Sequence, residues 1–185
     1  MNPENAVVHD AFAAILSGSG HTNEAAQHYR EAVRLKPDNA EYHYNLGREL
    51  IGNQNGAAAE IKLVEACQRA PNNPIYHNTL GVAFSQQNKT EPARAEFYRA
   101  LKLLPEYTKP YFNLARLEQR VAHDLATAGN FSEAAMQASH AAELARTNRF
   151  AELATELDAE IKSYKSARLP ANLPPAARTE IPNQK

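Results

Sequence analysis

Residues 40–73 read AEYHYNLGRELIGNQNGAAAEIKLVEACQRAPNN, and residues 74–107 read PIYHNTLGVAFSQQNKTEPARAEFYRALKLLPEY. Laid over one another, the two stretches share a pattern that recurs every 34 residues. Leu46-Gly47 falls on Leu80-Gly81, and Phe12-Ala13 takes the same place one repeat earlier. Ala25, Ala59 and Ala93 form a column, as do Ala32, Ala66 and Ala100, and Pro37, Pro71 and Pro105. Tyr29, Leu63 and Phe97 form a column of large residues. A period of this length marks a stack of small supersecondary units, none of which buries its apolar face alone. Three complete repeats follow, 6–39, 40–73 and 74–107, and a fourth begins at Thr108.

Within each repeat the apolar residues keep helical spacing and break once near the middle, at Ser17 to His21, Gly52 to Gly56 and Gln86 to Lys89. Each repeat is therefore a pair of short antiparallel helices. The proline column sits where the second helix must stop. Asn23 reads as an N-cap for a second helix. The Gly and Ala columns let helix backbones approach closely, and the large residues fill the spaces between, as ridges fill grooves.

These columns resemble the tetratricopeptide repeat family. The second repeat carries Leu46, Gly47, Leu50, Ala59, Leu63, Ala66 and Pro71; the third carries Leu80, Gly81, Phe84, Ala93, Phe97, Ala100 and Pro105. The resemblance covers about residues 6–148 and implies an all-α, right-handed superhelical solenoid with a C-terminal capping helix. It departs at the family's first aromatic position, where this chain has His9, His43 and His77.

The fourth repeat, 108–148, starts normally with Tyr111, Leu114 and Ala115, but its Gly-Asn-Phe turn signal comes late, at Gly129. Seven extra residues are close to two turns, with a phase drift of only about 20°. The spacing predicts a first helix two turns longer, with Ser132 capping the second. Phe150, Leu153, Leu157, Ile161 and Tyr164 form the apolar stripe of a capping helix over 149–166, with Glu152, Glu156, Glu160 and Lys162 on its other face. The repeat domain thus spans 1–166. Residues 167–185 hold Pro170, Pro174, Pro175 and Pro182 and read as a disordered tail. Pro3 and Asn5 fall in the columns of Pro37 and Asn39, which suggests either the end of a preceding repeat in a longer chain or a helix-start turn.

Lys plus Arg number 20 against 21 for Asp plus Glu. So even a balance gives no reason to expect nucleic acid or a membrane surface as partner. No apolar run approaches the roughly 20 residues of a membrane span, and nothing near Met1 reads as a secretory leader. The one cysteine, Cys67, excludes an intrachain disulfide. A cytoplasmic setting is the expectation. The histidine column invites a metal ladder, but no Cys or carboxylate column completes a ligand set, so flat rings packed between helices are expected instead. No phosphate loop, nucleophile elbow or zinc spacing is present, and no catalytic site or cofactor is expected.

First helices line the inner face of such a solenoid. The positions between their core residues are Asp10, Ala11 and Ala14; Glu41, Tyr44, Asn45 and Arg48; Ile75, Asn78, Thr79 and Val82; and Lys109, Phe112, Asn113, Arg116 and Arg120. The candidate partner-binding residues are Tyr44, Asn45, Arg48, Asn78, Thr79, Lys109, Phe112, Asn113, Arg116 and Arg120. Amides can pair with an extended backbone, Arg and Lys with carboxylates, and the aromatics with an apolar side chain. The expected partner is a protein or peptide bearing acidic or carboxylate groups. Asn45 and Asn113 are similar in place to the asparagine ladder of O-linked N-acetylglucosamine transferase repeats, which Ala11 and Thr79 interrupt here. The chaperone-tail clamp of other relatives wants Lys at Tyr44 and Asn at Arg48, and only Lys109 matches. An alternative is the accessory end of a larger enzyme: from Ala134 through Tyr164 the chain resembles the last repeats of bacterial membrane glycosyltransferases.

Overall fold

The computed structural model describes residues 5–167. It is all-helical: α1 (Ala6–Gly18), α2 (Thr22–Leu35), α3 (Ala40–Gly52), α4 (Gly56–Arg69), α5 (Pro74–Gln86), α6 (Thr90–Leu103), α7 (Thr108–Thr127), α8 (Phe131–Thr147) and α9 (Ala151–Ala167). None of these helices is long and apolar enough to cross a membrane. The stretch expected to form a tail lies, from residue 168 onward, outside the described residues. The chain divides into two compact units, 1–113 and 114–185.

Two chemically different stops punctuate the helices. Turns inside a pair close through a residue in the left-handed region: Gly20, Gln54 and Asn88, at φ 81°, 55° and 58°. After each, a backbone N–H reaches five residues back, from His21 to Leu16, Asn55 to Leu50 and Lys89 to Phe84, at 2.9–3.0 Å. That is a Schellman closure, which satisfies carbonyls that a helix end leaves orphaned. Turns between pairs stop differently. Lys36, Ala70 and Leu104 leave the helical region, with ψ of 78°, 72° and 86°, and precede Pro37, Pro71 and Pro105, because proline crowds the preceding residue out of helical conformation. Asparagine then starts the next helix. Asn5 accepts from Val7 N–H, Asn39 from Glu41 and Tyr42, and Asn73 from Ile75 and Tyr76. So Asn5 is a helix cap. The caps expected at Asn23 and Ser132 are not formed: α2 and α8 begin at Thr22 and Phe131, after His21 and Asn130, without a side-chain cap bond.

In the first unit α1–α2, α3–α4 and α5–α6 pack as pairs, and each later first helix packs on the preceding second helix, α3 on α2 and α5 on α4. The core runs through Ala13, Tyr29, Leu46, Leu63, Tyr76 and Leu80. Gly47 and Gly81 are required by it. A Cβ on Gly47 would lie 2.6 Å from Leu63 Cγ, and one on Gly81 2.6 Å from Phe97 Cε1. In the second unit, six alanines of α8 pack with Leu153, Leu157, Ile161 and Tyr164 of α9. There Gln137 donates a 2.6 Å bond to Glu118, which is 1% exposed. Helix α7 has 20 residues where α1, α3 and α5 have 13.

Candidate functional site: the inner face of the first unit

Helices α1, α3 and α5 and the first turns of α7 carry the inner columns of the first unit. Two hydrogen bonds of one kind cross between successive repeats. Asn45 Nδ2 donates to Asp10 Oδ1 at 2.8 Å, and Asn113 Nδ2 donates to Asn78 Oδ1 at 2.9 Å. In each, the second position of one repeat reaches the first position of the repeat before. At the middle crossing the same two positions are Thr79 and Tyr44. Thr79 turns back to its own helix, bonding Ile75 O at 2.8 Å. Tyr44 stacks on Tyr76, with ring centroids 4.7 Å apart and planes 23° from parallel. The interrupted asparagine ladder is thus two amide clasps flanking an aromatic pair.

The aromatic patch extends further. Arg48 lies with its guanidinium carbon 5.7 Å from the Tyr44 ring centroid, within cation–π range. Asn78 Nδ2 points at the Tyr107 hydroxyl, 3.5 Å away. Burial pushes the Tyr76 hydroxyl upward in pKa, with Glu41 and Tyr44 adding to it. Burial does the same for Tyr107, where Tyr44 adds to the rise and the Asn78 bond opposes it. Exposed apolar groups lie in the same columns: Val7 is 56% exposed, Ile75 45% and Phe112 38%. Lys109 and Arg48 are exposed.

The ten candidate residues divide accordingly. Tyr44 and Arg48 meet, and so do Asn78 and Asn113. Asn78 is buried at 6% exposure and serves as a clasp acceptor. Arg116 and Arg120 fall in the second unit. There Arg116 donates to both carboxylate oxygens of Glu156 at 3.1 Å, and Gln119 donates to Glu156 and Glu160 at 2.8 Å. Sequence reasoning missed Tyr76 and Tyr107. Tyr107 had a visible signal: it breaks the capping column of Asn39 and Asn73.

The histidine column does not form a ladder. The His43 and His77 rings are 2–3% exposed, and each donates from Nε2 to a proline carbonyl, Pro37 at 2.7 Å and Pro71 at 2.8 Å. A carbonyl only accepts, so the hydrogen is on Nε2. Each Nδ1 then faces a carboxylate at 2.6 Å, Glu65 for His43 and Glu96 for His77. The His77 imidazole hydrogen-bonds both the turn before its helix and the helix that follows, whereas His43 bonds the turn and brings its Nδ1 close to Glu65 without the geometry of a hydrogen bond. His9 instead stacks on His28, with Nδ1 atoms 2.9 Å apart. An open pocket of about 530 Å³ lies beside His77, floored by Val64, Leu80 and Phe84 and edged by Cys67 and Arg99. Burial pushes the Cys67 thiol up to about 12, so it is no nucleophile at neutral pH.

A family model described as "TPR repeat" matches residues 19–48. No curated protein sequence matches the chain. Among solved structures, the first TPR of Spaghetti (RPAP3) bound to the HSP90 peptide SRMEEVD superposes with a TM-score of 0.61 at 20% identity, covering 66% of this chain and 97% of that one. The Arabidopsis OM64 TPR domain gives 0.61 at 23% identity, covering 65% and 99%. MamA from Desulfovibrio magneticus RS-1, residue 41 to its end, gives 0.60 at 19%, covering 78% and 77%. At these identities the likeness is one of fold.

Proposed function

We propose that this protein, a tetratricopeptide-repeat protein, is a non-catalytic scaffold whose first unit binds an extended peptide segment of a partner along its inner face. The observation that carries the reading is the exposure of Ile75, in the column of Lys109, and of Phe112, in the column of Tyr44, whose ring Arg48 approaches. Exposed apolar groups beside cations suit a segment that brings an apolar side chain and a carboxylate together. The acidic HSP90 peptide bound to one of the fold neighbours supports that ligand class. The clasps also bear on it. Asn45 and Asn113 each spend one donor on a neighbouring repeat, which fixes the amides in place. Each amide keeps a second N–H and an oxygen with spare acceptor capacity for a peptide backbone.

The test is a titration of matched peptides with free and amidated C-termini, and with acidic and neutral interiors, against wild type, Arg48→Ala, Lys109→Ala and Phe112→Ala. Acidic peptides should bind in the micromolar range, because a flexible chain loses freedom on ordering. A cation that makes a charge-assisted bond should cost about 1.5–3 kcal/mol when removed. Added salt should weaken binding, since exposed charges are screened beyond roughly 8 Å at physiological ionic strength. Equal binding by all four proteins would remove the inner face from the function.

A further inference from the structure

Four residues at one place in their helices set a pattern along the inner face. Val7, Glu41, Ile75 and Lys109 are each the second residue of α1, α3, α5 and α7. The first three are held alike: the backbone N–H of each donates to the asparagine two residues before it, at 3.0, 2.9 and 3.0 Å. All four are exposed, Val7 at 56% and Ile75 at 45%. Among the described residues neither Glu41 nor Lys109 forms an ion pair. Helix α1 touches α3 and α3 touches α5, while Asn113 ties α7 to α5. The row therefore reads apolar, acidic, apolar, basic, one position per repeat.

The step between positions selects the backbone that can follow it. Packed helices lie about 8–10 Å apart. A polyproline II helix turns once in three residues and advances about 9 Å in doing so, so every third side chain shares one edge. A β-strand alternates its side chains, and every third one falls on the opposite face. A polyproline II backbone also makes no internal hydrogen bonds. Its carbonyls stay available to the spare N–H groups of Asn45 and Asn113, which lie one helical turn along α3 and α7 from Glu41 and Lys109.

We infer that the preferred ligand of the inner face is a polyproline II segment of a partner protein with charges of both signs in a three-residue register. It places a basic side chain on Glu41, an apolar one on Ile75 three residues further, and an acidic one on Lys109 three residues beyond that. A second apolar residue, three before the basic one, reaches Val7. The inference rests on peptide binding along the inner face; it adds a conformation, a spacing and a basic residue that a carboxylate-binding surface does not need.

The probe is the peptide LPPRPPLPPD, capped at both ends so that only its side chains are charged, titrated by calorimetry. Glu41→Lys should weaken its binding about tenfold, because an attraction becomes a repulsion, and Lys109→Glu should do the same. The double reversal should reject this peptide and bind LPPDPPLPPR. Peptides with one proline per spacer, which lose the register, should bind as weakly as the single variants do. Glu41→Lys is the discriminating variant, since Glu41 has no part in holding a carboxylate. If it leaves binding unchanged, or if the one-proline peptides bind as well, while Lys109→Ala and Phe112→Ala still weaken acidic peptides, the register is overturned and the inner face stands as the binding surface. If none of these variants alters the binding of any peptide, the inner face itself is overturned, and this inference with it.

Discussion

The second and third repeats and the second unit fill their helix interfaces by opposite means. In the repeats the first helix gives up a side chain altogether: Gly47 and Gly81 accept Leu63 and Phe97 directly against their backbone. In the second unit the glycine column holds Ala115, and the large-residue column, displaced by the longer α7, holds Ala138; both are fully buried. A glycine opposite a large residue fills its own interface. Two alanines leave it short of volume, and the bulk comes from a third helix, α9, through Leu153, Leu157, Ile161 and Tyr164. The stops differ in parallel. Pairs in the first unit are separated by proline, while α8 ends on Arg149 at φ 64°, with Phe150 N–H bonded to Ala145 O at 2.8 Å, the closure used elsewhere inside pairs. Helices α8 and α9 are therefore joined as a pair is joined. Close helix packing thus has two solutions, and the one without glycine depends on a neighbour.

The largest test removes the large partner. Phe97→Ala should cost about 3–5 kcal/mol in chemical denaturation, because a fully buried ring is lost next to a backbone that cannot refill the space. Leu157→Ala should cost about 2–5 kcal/mol, which would show that α9 supplies the volume the alanines lack. If Leu157→Ala were neutral, α8 would not depend on α9. Gly81→Ala should cost about 1–3 kcal/mol through overpacking against Phe97. Combined with Phe97→Ala it recreates the alanine pair of the second unit, and the clash should vanish. The double variant should then be more stable than the two costs predict when added; strict additivity would break the glycine–large pairing.

Smaller effects come from the helix ends. Asn73→Ala removes the acceptor for Ile75 and Tyr76 N–H and should cost about 1 kcal/mol, lowering the denaturation midpoint. Smallest of all, and of opposite sign, Gln54→Gly and Arg149→Gly should each stabilise by up to about 1 kcal/mol, since both residues sit at positive φ where a side chain is strained. Equal gains in the two units would show that the closures are equivalent; a gain at Gln54 alone would show that the Arg149 side chain contributes something its backbone does not.

Much of this fold was legible because its signals are local. Proline stops and the Gly–Leu step act within a few residues, and repetition multiplied each signal. Asn23 and Ser132 misled because both sit just inside their helices, at a position where composition favours a cap but the chain has already turned. On the candidate site, the inner columns could be read from the register, but not which members were already spent. Asn78 and Asn113 are spent on each other, Asn45 on Asp10 and Arg116 on Glu156. Each of those bonds joins residues 35 or 40 positions apart.

By itself, then, the amino-acid order determined the period, the pairing of helices and the length of α7. These follow from the repeat spacing of a backbone that turns every 3.6 residues, so seven added residues return nearly the same face. Only the tertiary structure decided what each repeated residue touches. His9, His43 and His77 are one residue type at one position, yet they meet His28, Glu65 and Glu96. The two columns opposite them carry His28, Lys62 and Glu96, and Glu31, Glu65 and Arg99, so carboxylate and cation exchange places between the second and third repeats. Lys62 bonds Glu65 at 3.0 Å, and Arg99 bonds Glu96 at 3.3 Å. A helical period is set by the backbone, whereas a polar side chain takes whichever complementary charge the packed neighbour brings within reach.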